Sequence, residues 1–331
     1  MSTLTHDSRV EAVPARARLG AGLVLAVVSA GSFGLSGALA RGLLETGWSA
    51  GALVLARIGI AALVVLPFAL VSLRGRWTVL RRHAGLVAFY GAVAVAGAQF
   101  CYFSAVQYMQ VGPAILIEYT SPAAVVVWMW LRHGQRPGLM TMLGAGLAAL
   151  GLVLVLDLVS GADLSLPGVL WALGAMVGCA TFFVVNGDET LDLPPLALAG
   201  AGLVMGTVAI ALFGVVGLMP MQASTDAAAY AGHSFAWWQP VLVLAVVTAA
   251  LSYVTGVGAA RLLGSRLAAF VALTEVVASV LWAWLLLDEL PRWAQIAGGL
   301  FILAGVVCVR IGERSVLVAE PAYDADDPVA V

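Results

Sequence analysis

The chain has 331 residues, of which 62% are hydrophobic and 10% charged, with a net charge of −2. A soluble domain usually carries about a quarter charged residues, so this composition excludes a soluble fold and indicates that lipid is the solvent. All basic residues are Arg, and the lack of Lys excludes a P-loop ATPase and a Schiff-base enzyme, since both need a Lys side chain.

Ten stretches of about 20 mostly apolar residues follow one another along the chain, each long enough to cross a membrane as a helix. We therefore predict an all-α, polytopic membrane protein with about ten transmembrane helices. The predicted spans are residues 19–41, 49–72, 84–105, 111–131, 138–157, 166–186, 194–217, 238–258, 265–287 and 293–311. Polar tails flank them at residues 1–18 and 312–331, and the second tail is acidic.

The distribution of Arg predicts the orientation, because cytoplasmic loops carry an excess of basic residues. With the N-terminus inside, only Arg41 and Arg292 fall in the outer segments. The inner segments then hold Arg9, Arg16, Arg18, Arg74, Arg76, Arg81, Arg82, Arg132, Arg136, Arg261, Arg266, Arg310 and Arg314. We expect a multi-pass protein of the cell membrane with both termini cytoplasmic.

An internal repeat divides the chain into two halves. Shifting the sequence by 154 residues aligns Pro137 with Pro291 and Gly144 with Gly298. The predicted five-helix repeats are residues 19–157 and 166–311. Because each half has an odd number of helices, the second copy is inverted in the membrane, and transporters with inverted repeats bind their substrate near the midplane.

Two helix motifs resemble those of EamA-type permeases of the drug/metabolite transporter superfamily. The runs around Glu118 (IEYTSP) and Glu275 (LTEVV) are similar to a helix motif of that family, and 287–289 (LDE) is similar to the sequence that ends the helix. Arg57 matches an Arg often seen in the second helix. The resemblance extends from about residue 20 to 311, and it implies ten helices, two halves and export of amino acids, metabolites or drugs by alternating access.

The sequence departs from the family pattern at three positions. Gln135 stands in place of the motif Glu in the first half, Val276 in place of the motif Pro in the second, and Asp288 in place of Gly. These departures weaken the transfer of a family role to those three positions.

Glu118 and Glu275 are the leading candidates for substrate binding or coupling. An acid at the bilayer centre costs about 2.5–3.5 kcal/mol on insertion scales, so its presence there calls for a role. Pro122 leaves the Glu118 carbonyl without its helical partner and predicts a kink. Glu118 is interpreted as a proton relay or a contact for a substrate amine, with packing against a neighbouring helix as the alternative. For Glu275 the alternative is a packing hydrogen bond with Ser279.

Further polar residues lie on shared helix faces and are candidates to line the same cavity. Gln99 and Tyr102 share a face of the third span, Ser32 belongs to a serine stripe on the first, and Ser252 precedes Tyr253 on the eighth. Such stripes either line a wet cavity or bond helix to helix.

Arg57 is a candidate clamp for a substrate carboxylate, although an Arg near a helix end often snorkels or forms a structural pair instead. No metal or cofactor site is predicted, because the four His fall in loops or tails. The cysteines Cys101, Cys179 and Cys308 lack metal-site or disulfide spacing and are interpreted as buried and inert.

The leading hypothesis for function is a secondary transporter of small metabolites, amino acids or drugs among them, acting as an exporter. The expected partners are the substrate, protons and membrane lipid, with no nucleic acid; the sequence leaves a homodimer open. A membrane-embedded enzyme is one alternative, but the predicted spans hold no His or Lys to pair with a nucleophile. A non-transporting scaffold is another, but acids at matching places in both halves argue against it.

Overall fold

The computed structural model describes residues 15–121, 123–125, 131, 138–155, 165–186 and 191–318. Apart from one short hairpin, the regular secondary structure of these residues is helical. The first half contains α1 (Ala15–Glu45), α2 (Ala50–Ser72), α3 (Trp77–Arg82), α4 (Ala84–Tyr108), α5 (Val111–Glu118) and α6 (Leu139–Val155). The second contains α7 (Leu166–Asn186), α8 (Pro195–Val215), β1 (Ala228–Tyr230), β2 (His233–Phe235), α9 (238–272), α10 (Thr274–Leu287) and α11 (Trp293–Val318).

Six of the described helices are long and apolar enough to cross a membrane: Leu19–Glu45, Ala50–Ser72, Ala84–Tyr108, Leu166–Asn186, Pro195–Val215 and Trp238–Ala259. Three shorter apolar helices follow the same pattern: Leu139–Val155, Thr274–Leu287 and Trp293–Cys308. Together with α5, these helices lie at the ten predicted span positions. The prediction of an all-α, polytopic membrane protein is confirmed.

One predicted loop is helical instead. We expected a break between the eighth and ninth spans at residues 259–264, but α9 continues to Ala272 and α10 begins at Thr274. The segment AARLL at residues 259–263 consists of strong helix formers, which extend the helix beyond the apolar stretch. The break between these helices therefore lies directly beside Glu275.

Two of the helices contain π-helical segments, in which the hydrogen bonds join residues five apart and the turns are wider. They are Tyr90–Gly97 in α4 and Val243–Leu251 in α9. Adding 154 to the first segment gives residues 244–251, so the two irregular segments occupy matching places in the two halves.

Helices α6 and α11 cross at a contact between glycines. A Cβ atom added at Gly151 would lie 2.5 Å from the Gly298 carbonyl oxygen, and one added at Gly305 would lie 2.5 Å from the Gly144 carbonyl oxygen. Only residues without a side chain permit the backbones to approach this closely. The later glycine of α6 contacts the earlier glycine of α11, and the earlier one contacts the later one. The two helices therefore run in opposite directions.

Candidate functional site

Glu118 lies where the helix of the fourth span is interrupted. It is the last residue of α5, and a turn at Tyr119–Thr120 follows before the chain becomes helical again at Ser121. The Thr120 hydroxyl donates to the Ile117 carbonyl at 2.7 Å and satisfies one of the groups left at the helix end. Interrupted helices at membrane depth are found where the backbone lines a cavity or is buried in protein.

Glu275 lies beside the matching interruption in the second half. It is in the first turn of α10, where the helix dipole stabilises an acidic side chain. The Tyr119 hydroxyl donates a hydrogen bond to Glu275 Oε2 at 2.7 Å. Tyr119, which follows Glu118 in the sequence, therefore binds Glu275, and this hydrogen bond joins the two halves of the chain.

Arg57 is buried on α2, with 2% of its surface exposed. Its Nη2 donates to the Thr248 carbonyl of the π-helical segment in α9 at 2.9 Å. The guanidinium carbon lies 5.3 Å from the centre of the Phe103 ring and 6.0 Å from that of Phe33, within the range of cation–π contacts. Among the described residues, its Nε has no hydrogen-bond partner.

The charge of Arg57 interacts electrostatically with Glu118, Glu275, Tyr102 and Tyr253, so these predicted residues form one cluster. Within the described part of the chain, no carboxylate lies within ion-pair distance of Arg57. The cluster thus holds one buried cation and two half-buried acids that are close but not paired. A buried donor without an acceptor costs about 1–3 kcal/mol, so the free Nε favours an additional acceptor at this place.

Two other polar atoms of this region are unsatisfied. The Tyr102 hydroxyl and Gln99 Oε1, on the same face of α4, are both buried without a hydrogen-bond partner among the described residues. Gly37 makes room for the hydroxyl, because a Cβ atom there would overlap it. The Tyr253 ring packs edge-on against Phe33 with the ring centres 5.3 Å apart. The Tyr102 hydroxyl and the rings of Phe33 and Phe103 therefore lie beside the Arg57 guanidinium.

Other polar residues on these helices bond one helix to another. The Ser29 hydroxyl donates to the Ser252 carbonyl at 2.8 Å, whereas the Ser252 hydroxyl donates to the Val247 carbonyl of its own helix at 3.1 Å. On α10, Ser279 donates to the Gly34 carbonyl at 3.1 Å and Trp282 to the Gly31 carbonyl at 3.0 Å. Ser279 therefore does not bind Glu275, and these bonds fix α10 and α9 against α1.

Ser32 is half-buried on α1, between the residues that make these packing bonds. Pro122 lies outside the described residues, so the predicted kink at that position has no structural description here.

The sequence reasoning missed three members of the cluster: Tyr119, Phe33 and Phe103. Tyr119 is adjacent to Glu118, and a continuous helix would have turned its side chain about 100° away. The residue type did give an indication, because the hydroxyl of a buried Tyr usually has a hydrogen-bond partner. The two Phe gave no such signal, because apolar aromatics are ordinary in a membrane helix.

Comparison with known proteins agrees with this architecture. The family model described as the EamA-like transporter family matches the chain twice, over residues 20–157 and 166–311. An uncharacterized inner membrane transporter, YicL of Salmonella typhimurium, is 23% identical over 303 residues, which cover 88% of this chain and 96% of the relative. One solved crystal structure matches 88% of this chain and 98% of its own with a TM-score of 0.57 and 20% identity, which shows a shared fold.

Proposed function

Because the chain belongs to the EamA-like transporter family, and is a multi-pass membrane transporter of the drug/metabolite type, we propose that it is a secondary transporter that exports small metabolites by alternating access. Amino acids and drugs are among the substrates that this proposal includes. The proposed location is the cell membrane, with both termini in the cytoplasm.

The observation that carries this proposal is the cluster of Arg57, Glu118 and Glu275 at two matching helix interruptions. Discontinuous helices at the midplane of a repeat protein place backbone groups and helix ends at a substrate site. Here the interruptions also bring the two acids close to the buried guanidinium of Arg57, whose Nε has no partner among the described residues. Within the same part of the chain, neither acid forms an ion pair. A small substrate with both charged and apolar groups fits these side chains and the aromatic rings beside them.

The proposed transport cycle requires two halves that rearrange against each other. The contacts between α6 and α11 support the inverted repeat: the alignment of Gly144 with Gly298 and of Gly151 with Gly305 makes each cross-contact the symmetry mate of the other. Antiparallel equivalent helices require a two-fold axis in the membrane plane, whereas an axis along the membrane normal would make them parallel. We propose that residues 19–157 and 166–311 are the two inverted units.

Coupling to protons is proposed for Glu118. An acid that interacts with a second acid and with a cation can change its proton occupancy when a substrate charge enters the cluster. The Glu275 carboxylate, held by Tyr119, is proposed to take the substrate contact on the second half.

Transport in reconstituted vesicles tests the function. A panel of metabolites is assayed for uptake and efflux, with and without a pH gradient, in the unaltered protein and in Glu118→Gln. We expect Glu118→Gln to lose transport driven by the pH gradient while it keeps exchange down a substrate gradient, because Gln preserves the shape and removes the titration. If Glu118→Gln retains full gradient-driven transport, the coupling role is rejected; if no metabolite is moved under any condition, the exporter proposal is rejected.

A further inference from the structure

Glu289 lies outside the cluster described above and connects the two halves at one end of the bundle. The family motif aligns it with a motif Glu, and an acid at a helix end is ordinarily solvated, but only 14% of this side chain is exposed. Its Oε2 accepts a hydrogen bond from the Val111 backbone N–H at 2.9 Å, and its Oε1 lies 3.8 Å from Arg41 Nη1. Both partners belong to the first half, whereas Glu289 belongs to the second.

The turn after α10 presents Glu289 to these partners. Asp288 adopts the left-handed conformation with φ of 55°, and the Glu289 N–H donates to the Ala283 carbonyl at 3.3 Å. This is a helix-ending turn in which Gly is the usual residue, and Asp is among the few others that tolerate it. The replacement of the motif Gly by Asp288 therefore leaves the turn intact and Glu289 directed toward α5.

Arg41 extends the contact over the end of α4. Its Nη1 donates to the Val106 and Met109 carbonyls at 2.7 and 3.0 Å, while its Nε binds Glu45 on the same helix at 2.9 Å. One side chain thus ties the ends of α1 and α4 together next to Glu289.

The β-hairpin covers the same end of the molecule. The Tyr230 hydroxyl donates to the Leu39 carbonyl of α1 at 2.6 Å, and the Ala231 N–H donates to the Leu286 carbonyl of α10 at 2.9 Å. Between α5 and α10, beside Glu289, a cavity of about 10 Å³ has room for about one water molecule. A larger cavity of about 150 Å³ lies next to the hairpin, where Leu39, Tyr230 and Leu286 line it. At Glu289 itself, the two halves are in direct contact through the bond to the Val111 N–H.

We propose that Glu289 is a gate residue, whose bond to the Val111 N–H and contact with Arg41 hold this end of the bundle closed and must break for the transport path to open there. The arginine pattern predicts this end to be extracellular. The inference rests on the proposed transport function, since a gate is needed only where access alternates.

The gate depends on the hydrogen bond more than on the charge. Burial raises the pKa of the Glu289 carboxyl, and Glu45 raises it further, while the Val111 N–H and Arg41 lower it. Asp288 and Arg292 are the charged residues nearest to Glu289 in the sequence and belong to the same loop. A pKa that is higher in the closed state than in water means that protonation stabilises the closed state, so acidification at this end does not open the gate.

Cysteine labelling in detergent measures the opening directly and requires no substrate. The native Cys101, Cys179 and Cys308 are replaced by Ala, and one reporter cysteine is introduced at Ala283, which lines the small cavity beside Glu289. A second reporter at Ala148 serves as the control. Both alanines are 2% exposed, and Ala148 lies on α6, in the glycine contact with α11. The rate of reaction with a water-soluble maleimide reports how often each site is exposed.

The variants separate the hydrogen bond from the charge. Glu289→Ala removes the acceptor and should accelerate labelling of Cys at 283 about tenfold, the effect of losing one hydrogen bond. Glu289→Gln keeps an acceptor and should stay within about threefold of the parent. Asp226→Ala removes an exposed acid before the hairpin whose side chain makes no hydrogen bond or ion pair among the described residues, so it should leave the rate unchanged.

A second pair of variants tests the same bond from the donor side. Val111→Pro removes the N–H at the first position of α5, where proline is well accommodated, and Gln110 already has the extended conformation that precedes proline. It should match Glu289→Ala. Val111→Ala also loses volume at this buried position but keeps the N–H, so it should accelerate labelling less than Val111→Pro does, and the difference between the two variants reports the bond.

The proposal is overturned if neither Glu289→Ala nor Val111→Pro accelerates labelling at 283, or if the reporter at 148 accelerates equally, which would mean general loosening. It is also overturned if acidification from pH 7 to 5 raises the labelling rate at 283 relative to that of the reporter at 148 in the parent, since protonation should keep the gate closed. The ratio is used because a thiol reacts as the thiolate, so both reporters react more slowly at low pH. Labelling does not measure transport, so failure of the gate and failure of the transport assays are separate results.

Discussion

The crossing of α6 and α11 makes a strong prediction about stability. In Gly151→Ala, the new Cβ atom would lie 2.5 Å from the Gly298 carbonyl oxygen and 2.8 Å from the Ile302 backbone nitrogen. Both are backbone atoms that cannot rotate away, so the two helices must separate. Overpacking of this kind costs about 1–3 kcal/mol.

Gly146→Ala is the matched control on the same helix, because a Cβ atom there has nothing within 4 Å. Alanine is a better helix former than glycine by about 1 kcal/mol, so this variant should be neutral or slightly stabilised. Both variants add the same methyl group to the same helix and gain the same helix propensity, so the expected difference in free energy of unfolding is the overpacking cost of about 1–3 kcal/mol.

The assay is equilibrium unfolding of the purified protein in mixed micelles of detergent and SDS, followed by circular dichroism. Gly298→Ala should be as damaging as Gly151→Ala, since its Cβ atom would meet the Gly151 carbonyl oxygen at 2.6 Å. Equal stabilities of Gly151→Ala and Gly146→Ala would refute the close crossing, and with it the structural support for the inverted repeat.

Two other predictions concern the site and the topology. Tyr119→Phe removes the hydrogen bond to Glu275 and should slow transport about tenfold, whereas Tyr108→Phe, at an exposed tyrosine, should not; transport at the parent rate in Tyr119→Phe would deny that bond a role. Tags at residues 1 and 331 should both be reached only from the cytoplasmic side, and tags on opposite sides of the membrane would exclude ten spans with both ends inside.

Much of the fold could be predicted from the sequence, because the bilayer imposes a simple rule. Every backbone polar group in hydrocarbon must be bonded within its own helix, so apolar stretches of about 20 residues identify the spans. The position of Glu118 and Glu275 in those spans also followed from the sequence, since acids are rare there and their cost is large. The family model matches residues 20–157 and 166–311, whereas the inverted repeat deduced from Pro137 and Pro291 stays a prediction.

The break beside Glu275 was harder to predict. Residues 259–263 end the apolar stretch but remain good helix formers, so hydropathy and helix propensity pointed to different ends for α9. Hydropathy measures transfer into lipid, whereas the helix end depends on local backbone bonding, and the two need not coincide.

The sequence by itself therefore determined the membrane class, the spans and the family. It also identified Glu118, Glu275 and Arg57 as candidate site residues. Only the tertiary structure decided which side chains meet: that Tyr119 binds Glu275, that Ser279 binds the Gly34 carbonyl of α1, and that Glu289 reaches Val111. The physical reason is that hydropathy depends on residue type alone, while a contact between helices depends on the rotation of each helix about its axis. One residue changes that rotation by about 100°, so a helix break or a π-helical segment redirects every side chain that follows it.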